Sequence, residues 1–211
     1  MSSENSLSSA RKKLSRGFYT RRDALAAARD LLGKRLVVAA PDGSRVSGLI
    51  VETEAYMGVE DKASHAYANR RTPRTESMYA EGGSAYVYFI YGMYYQFNVV
   101  VNRREVPHAV LVRGVEPTEG LEWMLRRRPG LRRERDLTNG PGKLCAAFGI
   151  ERSYDREDLG GERVWIEETR RAVASGDIAA GARVGIDYAA EFAQKPWRFW
   201  IKDNPFVSRK G

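Results

Sequence analysis

Strand-type segments follow one another along most of this chain, and this succession limits how it can fold. Five of them carry apolar patterns typical of strands, at residues 35–40, 45–56, 85–91, 95–101 and 109–115. The first two are joined by Pro41-Asp42-Gly43-Ser44, a tight hairpin signal, and the third bends into the fourth at Gly92. Because parallel neighbours need long crossover connections, these short turns predict a largely antiparallel sheet.

Helical and late strand patterns complete the predicted architecture. They predict helices at residues 22–32, 118–128 and 142–148, and strands at residues 164–167, 183–187 and 198–202. We therefore predict an α+β fold, a single domain with a curved, mostly antiparallel β-sheet surrounded by α-helices. Residues 1–17 are rich in Ser, Lys and Arg and are expected to form a flexible basic N-terminal tail, with the domain at residues 18–211.

The charge balance favours a polyanionic partner. The 211 residues include 35 Lys and Arg against 27 Asp and Glu, which gives a formal net charge of +8. Each phosphate that a basic surface neutralises releases counterions, so nucleic acid is one candidate. Plain solubility is the alternative explanation of the same charge.

The scarce residue types exclude several kinds of site. Cys145 is the only cysteine, so neither an internal disulfide nor a Cys-based zinc site can form. His65 and His108 are the only histidines, and we expect no metal. The chain has no run of about 18 apolar residues and no signal-peptide core, so we expect no membrane partner and a reducing compartment.

An acidic pair ends the second predicted strand. On a regular strand Glu52, Glu54 and Tyr56 share one face, so a carboxylate lies beside a phenol and can serve as a general base. The alternative is that these carboxylates are only solvated or paired with arginine and have no catalytic role. A carbohydrate hydrolase using Glu52 with Glu54 is a further one, although side chains on one strand face cannot easily flank a bond from opposite sides.

Aromatic residues surround this acidic strand. Tyr86 and Tyr88 are two residues apart and share one strand face. Tyr91 lies at a predicted hairpin tip, and Met78 lies in a polar loop at residues 60–83. A packed aromatic core is the simpler explanation for any single tyrosine. Exposed apolar residues at loop tips, however, are what proteins insert into a DNA stack, and flat rings hold an extruded base.

The order of these residues resembles a known family. The motifs that carry the resemblance lie between about residue 26 and residue 208 and are Glu52-Thr53-Glu54-Ala55-Tyr56, His65, Thr72-Pro73-Arg74, Tyr86-Val87-Tyr88, Tyr91-Gly92-Met93, Asn98, Arg113, Glu116-Pro117, Gly140-Pro141-Gly142-Lys143-Leu144-Cys145, Arg183-Val184-Gly185 and Lys195-Pro196-Trp197-Arg198-Phe199. Together they resemble the alkyladenine DNA glycosylases, also called 3-methyladenine DNA glycosylases.

The resemblance implies a role for each matched residue. Glu54 is expected to activate the attacking water, and Arg113 with the Val184 carbonyl to hold it. The residues expected to contact the flipped base are Tyr56 on one face, His65 and Tyr88 on the other, and Asn98 at its edge. The residues expected to contact DNA, as wedges or through phosphates, are Tyr91, Met78, Met93, Arg70, Thr72, Arg74 and Lys143.

The implied activity is base-excision repair. A monofunctional enzyme of this family removes 3-methyladenine, 7-methylguanine, hypoxanthine or ethenoadenine from double-stranded DNA with water as the nucleophile, so it does not cut the strand. The resemblance also implies that no metal and no cofactor are needed. We expect a monomer, cytoplasmic and nucleoid-associated in a bacterium or archaeon and nuclear in a eukaryote. A non-catalytic nucleic-acid-binding module of the same fold remains the main alternative.

Overall fold

The structure, a computed structural model, describes residues 12–21, 23–170 and 172–209. Within these ranges a curled antiparallel sheet packs against short α-helices, which confirms the predicted α+β fold. The strands are β1 Arg35–Ala39, β2 Arg45–Tyr56, β3 Ala85–Ile90, β4 Tyr94–Val101, β5 His108–Glu119, β6 Val164–Glu167, β7 Ile178–Gly181 and β8 Arg198–Ile201. The α-helices are α1 Arg16–Tyr19, α2 Ala24–Asp30, α3 Leu121–Arg127 and α4 Pro141–Phe148.

The long strand β2 organises the sheet. The strand order is β3-β4-β5-β2-β1-β6, and every pairing is antiparallel. One edge of β2 pairs with β5, while its other edge pairs with β1 up to Leu49 and then with β8 at Glu52, Thr53 and Glu54. Register shifts against β5 fall on both sides of Glu52, and such irregularities bend a strand. The acidic end of β2 therefore lies inside the fold, between two neighbouring strands.

Helix α2 closes the core over this end of β2. The Asp23 carboxylate caps the helix by accepting from the backbone N–H groups of Leu25 and Ala26. Its buried face consists of alanines, and small side chains let a helix approach the sheet closely. The Thr53 hydroxyl donates to the Ala28 carbonyl oxygen at 2.8 Å, so a hydrogen bond fixes α2 to the residue between the two glutamates.

Contacts with the sheet begin inside the predicted tail, before residue 18. Leu14 is 4% exposed, and its backbone N–H donates to the Ile166 carbonyl oxygen at 2.8 Å. Lys13 pairs with Glu167 at the edge of β6, and α1 follows directly. The expectation of a flexible tail is thus wrong for residues 12–17, because an apolar side chain there is buried against the sheet. Residues 1–11 lie outside the described part of the chain.

Two further predictions need correction. The strand expected at residues 183–187 is an irregular segment that enters a 3-10 turn at Asp187–Phe192. Its backbone cannot extend because Gly185 adopts φ +75° and the Arg183 side chain turns into the protein. Strand β7, just before it, was not predicted, since its Ile-Ala-Ala-Gly sequence carries no strand pattern.

The polar segment at residues 60–83 folds against the sheet as short 3-10 turns, at Gly58–Glu60, Tyr67–Asn69 and Glu76–Tyr79. Within the described ranges, no helix has the length and apolarity needed to cross a membrane.

Candidate active site

Glu54 is a fully buried carboxylate held by three donors. Its Oε1 accepts from the Val184 backbone N–H at 2.7 Å and lies 3.3 Å from Arg113 Nη1. Its Oε2 accepts from the Tyr56 hydroxyl at 2.9 Å. A carboxylate offers about four lone-pair sites, and the described residues supply three donors, so Oε2 can accept from one further donor such as water.

Glu52 lies two residues away in a different environment. Its oxygens accept from Arg113 Nε and Arg198 Nη1, both at 3.1 Å, and from the Ser208 backbone N–H and hydroxyl at 2.7 and 3.0 Å. Glu52 and Glu54 were predicted to share one face of their strand. In the structure the Arg113 guanidinium contacts both carboxylates. Four donors occupy Glu52, so it acts as the buried anion that holds two arginines in place.

The partners of Glu54 form one end of a cavity of about 240 Å³. Clefts that take drug-sized ligands span roughly 300–1,000 Å³, so this one suits a single flat ring system. The predicted catalytic and base-binding residues in its wall are Tyr56, His65, Tyr88, Asn98, Arg113 and Val184. Glu54 lies directly behind this wall, within hydrogen-bonding distance of Tyr56 and Val184.

One wall of the cavity consists of crossed rings. The His65 and Tyr88 rings are 4.6 Å apart at 76°, and His65 Nδ1 is 2.8 Å from the Tyr86 hydroxyl. Burial, together with the positive charges of Arg74 and Arg70, lowers the pKa of His65 to about 4. At neutral pH the imidazole is therefore uncharged and presents a neutral aromatic surface.

The Tyr56 ring forms another wall. The Arg183 guanidinium lies 4.7 Å from its centroid, a cation–π contact that fixes the ring from behind. Burial, followed by the charge of Glu54, raises the pKa of Tyr56 well above its ordinary value. The phenol consequently keeps its proton and donates a hydrogen bond to Glu54. The Asn98 amide nitrogen donates to the Tyr86 carbonyl oxygen at 3.0 Å, so this side chain is also held rigidly in the wall.

Exposed aromatic residues flank the mouth of the cavity. Tyr91 is 76% exposed at the tip of the β3–β4 hairpin, as predicted, with φ +55°, and Met93 on the same tip is 63% exposed. Tyr188, 71% exposed, lines the cavity from the irregular segment after β7 and was not singled out from the sequence. The expectation that Met78 projects as a wedge is wrong. It is 2% exposed and packs inside the wall.

The predicted phosphate contacts divide into two regions. Arg70, Thr72 and Arg74 line a groove of about 290 Å³ beside the cavity, together with Lys62. Lys143 lies instead in the first turn of α4, where it donates to the Asn139 side-chain oxygen at 2.7 Å. Its neighbour Gly142 packs against the Tyr94 ring, so Lys143 is close to the Tyr91 hairpin. The predicted phosphate contacts therefore lie partly in this groove and partly beside the hairpin.

The charged residues of the groove beside the cavity are the cations Lys62, Arg70 and Arg74. Across residues 12–21, 23–170 and 172–209, no group of three or more His, Cys, Asp and Glu side chains is arranged to hold a metal ion.

Comparison with known proteins identifies the family. A family model for methylpurine-DNA glycosylase matches residues 17–205. A proposed 3-methyladenine DNA glycosylase of Desulfitobacterium hafniense is 48% identical over 206 residues, which cover 94% of this chain and 100% of the relative. A protein of Clostridium acetobutylicum with the same proposed activity is 49% identical over 203 residues, or 93% of this chain and 97% of the relative. One from Alkaliphilus oremlandii is 46% identical, with 94% and 100% covered.

These matches span nearly the whole domain and identify the chain as a DNA glycosylase. It belongs to the methylpurine-DNA glycosylase family, which confirms the resemblance seen in the sequence motifs.

Proposed function

We propose that the protein removes alkylated or deaminated purines from duplex DNA and leaves an abasic site. The substrates are 3-methyladenine, 7-methylguanine, hypoxanthine and ethenoadenine. The observation that carries the proposal is the position of Glu54, a buried carboxylate with a spare lone pair, whose donors Tyr56, Arg113 and Val184 all belong to one aromatic cavity. Family membership supports the same activity.

The target nucleotide has to leave the helix before it can react. Tyr91, exposed at the hairpin tip, inserts where the nucleotide was stacked, with Met93 beside it. The base then enters the cavity between the Tyr56 ring and the crossed rings of His65 and Tyr88. Arg70, Arg74 and Lys143 neutralise phosphates around the mouth.

Hydrolysis consumes one water. Glu54 accepts a proton from that water while the oxygen of the water bonds to C1′ of the sugar. Arg113 and the Val184 carbonyl hold the water in place. The C1′–N bond breaks and its electron pair departs with the base. A cationic base such as 3-methyladenine leaves as a neutral molecule, whereas hypoxanthine first needs a proton at N7. His65, with a pKa of about 4, is not the donor of that proton at neutral pH.

Water rather than an amine is the proposed nucleophile. None of the described residues that line the cavity is a lysine, and Lys62 lies in the adjoining groove. Without an amine near C1′ a Schiff base cannot form, so the enzyme is monofunctional and leaves the strand intact. We further propose that it acts as a monomer. Since the matched relatives are bacterial, we propose that it acts on nucleoid DNA in the cytoplasm.

The alternatives receive less support. A carbohydrate hydrolase needs two free carboxylates across a bond, and the oxygens of Glu52 are occupied by Arg113, Arg198 and Ser208. A non-catalytic module has no need of a buried carboxylate behind a base-sized cavity.

Duplex oligonucleotides that each carry one damaged purine test the proposal. After incubation with the wild-type protein, alkali should cut the strand at the lesion, while the strand stays whole without alkali. Binding of the same duplexes should weaken steeply as salt rises. Intact strands after alkali for every lesion would overturn the proposed function, and cutting without alkali would overturn the monofunctional mechanism.

A further inference from the structure

Gln96 is a polar residue in the base cavity to which the mechanism above gives no role. It lies on β4 directly opposite Tyr88 of β3, and two residues before Asn98. Residues two apart on a strand face the same side, so Gln96 and Asn98 both point toward the cavity, and both line it.

The hydrogen bonds of Gln96 leave half of its side chain unused. The Tyr88 hydroxyl donates to Gln96 Oε1. A glutamine amide also carries an NH₂ group with two donors, and nothing among the described residues accepts from Gln96 Nε2. Asn98 differs, because its amide nitrogen is already bonded to the Tyr86 carbonyl oxygen.

Tyr88 determines which end of the amide is free. The Tyr88 hydroxyl has one proton to donate, and Gln96 Oε1 is the acceptor that it reaches. If the amide were turned round, the Tyr88 proton would lose this acceptor in a largely buried position, which is costly. The side chain therefore presents an N–H donor to whatever occupies the cavity.

We propose that Gln96 is a specificity-determining residue that donates from Nε2 to an exocyclic oxygen of the bound base. A 6-oxopurine such as hypoxanthine supplies that acceptor at O6. A 6-aminopurine such as 3-methyladenine places N–H groups at the same position, so two donors face each other and the Gln96 donor stays unpaired. The inference rests on the proposed function and adds a selection of 6-oxopurines over 6-aminopurines.

Two substitutions separate the possible contributions of Gln96. Gln96→Glu keeps an acceptor for the Tyr88 hydroxyl but removes the donor. Gln96→Met keeps the length of the side chain but removes both. Gln194, the other glutamine of the chain, is exposed and does not line the cavity, so Gln194→Met is the matched control.

The readout is the single-turnover excision rate on hypoxanthine divided by the rate on 3-methyladenine, each variant being compared with wild type. We expect the ratio to fall about five-fold in Gln96→Met, the effect of one neutral hydrogen bond. It should fall further in Gln96→Glu, since a carboxylate repels O6 and attracts an amino group, and should not change in Gln194→Met.

An unchanged or increased ratio in both Gln96 variants would overturn the inference and leave the proposed function standing, because wild type would still excise both bases. If wild type excises 3-methyladenine or another proposed purine but not hypoxanthine, the inference fails and the proposed function stands. If it excises none of the proposed purines, the proposed function itself fails. Thermal unfolding identifies a variant that does not fold, and the other Gln96 variant then decides.

Discussion

The Val184 backbone N–H donates to Glu54 Oε1 at 2.7 Å, although the two residues are 130 positions apart in the sequence. The segment that carries Val184 is held by an ion pair between Arg183 and Asp61, whose side chains are both 0% exposed. Arg183 also donates to the Ala55 carbonyl oxygen at 2.9 Å, next to Glu54 on β2. A buried salt bridge that does not touch Glu54 thus positions one of its donors.

Removing Asp61 should reduce both stability and activity. Asp61→Ala leaves the Arg183 charge buried without its partner, and such a change costs about 3–5 kcal/mol. The excision rate should also fall, because the Val184 N–H is no longer held against Glu54. Denaturant unfolding and single-turnover excision measure the two effects. Asp30→Ala, which breaks an exposed pair with Arg21, should cost at most about 1 kcal/mol. A wild-type excision rate in folded Asp61→Ala protein would contradict the positioning role.

Glu52 should prove structural rather than catalytic. Glu52→Ala leaves the buried cations Arg113 and Arg198 without the carboxylate that both contact. We expect the unfolding free energy of this variant to be about 3–5 kcal/mol lower than that of wild type. The neutral isostere Glu52→Gln keeps two hydrogen-bonding atoms and should retain much more excision activity than Glu54→Gln. An activity loss equal to that of Glu54→Gln in a folded Glu52→Gln protein would instead support a two-carboxylate mechanism.

His65 should make the protein less stable in acid. Its pKa is about 4 in the fold and about 6.5 when unfolded, so between these values the unfolded chain binds a proton that the folded chain does not. The stability of the fold is therefore complete above pH 6.5 and decreases as the pH falls toward 4. Denaturant midpoints across this range should depend less on pH in His65→Gln.

His108 supplies the matched comparison for this measurement. Burial lowers its pKa as well, so His108→Gln should remove a separate part of the same dependence. Identical pH profiles for wild type and His65→Gln would rule out a depressed pKa at His65.

Tyr91 should assist extrusion of the base without taking part in hydrolysis. The ring is 76% exposed, so Tyr91→Ser should leave thermal stability unchanged. Unstacking a base step costs a few kcal/mol, so excision from a fully paired duplex should slow about ten-fold or more. A lesion placed in an unpaired bulge needs less extrusion and should be excised at nearly the wild-type rate. A full rate on the paired duplex at saturating enzyme would count against the wedge.

Local pattern was sufficient to predict much of the fold. Strand β2 runs from Arg45 to Tyr56 as predicted, because its hairpin turn and its alternation both act over a few residues. The irregular course of residues 183–187 depends instead on Asp61, 122 positions away, which draws Arg183 inward. Short-range periodicity contains no information about such a contact, and the segment was mistaken for a strand.

The site shows the same division. The resemblance predicted that Glu54, Tyr56, His65 and Tyr88 lie close together, and the structure brings these residues to one cavity because each belongs to a motif near the acidic strand. It did not distinguish Met78, which packs in a buried cluster with Tyr79, Tyr86 and Tyr88, from a surface wedge. Tyr188 gave no signal because its exposure arises from a 3-10 turn beside the cavity. The different roles of Glu52 and Glu54 also depend on distant partners, Ser208 for one and Val184 for the other.

Single-turnover excision by Glu54→Gln on a hypoxanthine duplex tests the central claim most directly. The glutamine fills the same space but cannot take a proton from water, so the rate should fall by about a thousand-fold, within the 10²–10⁴-fold contribution of general base catalysis. Binding of the damaged duplex should stay within a few-fold of wild type. Excision at the wild-type rate would contradict the account, because the water would then be activated by some other group.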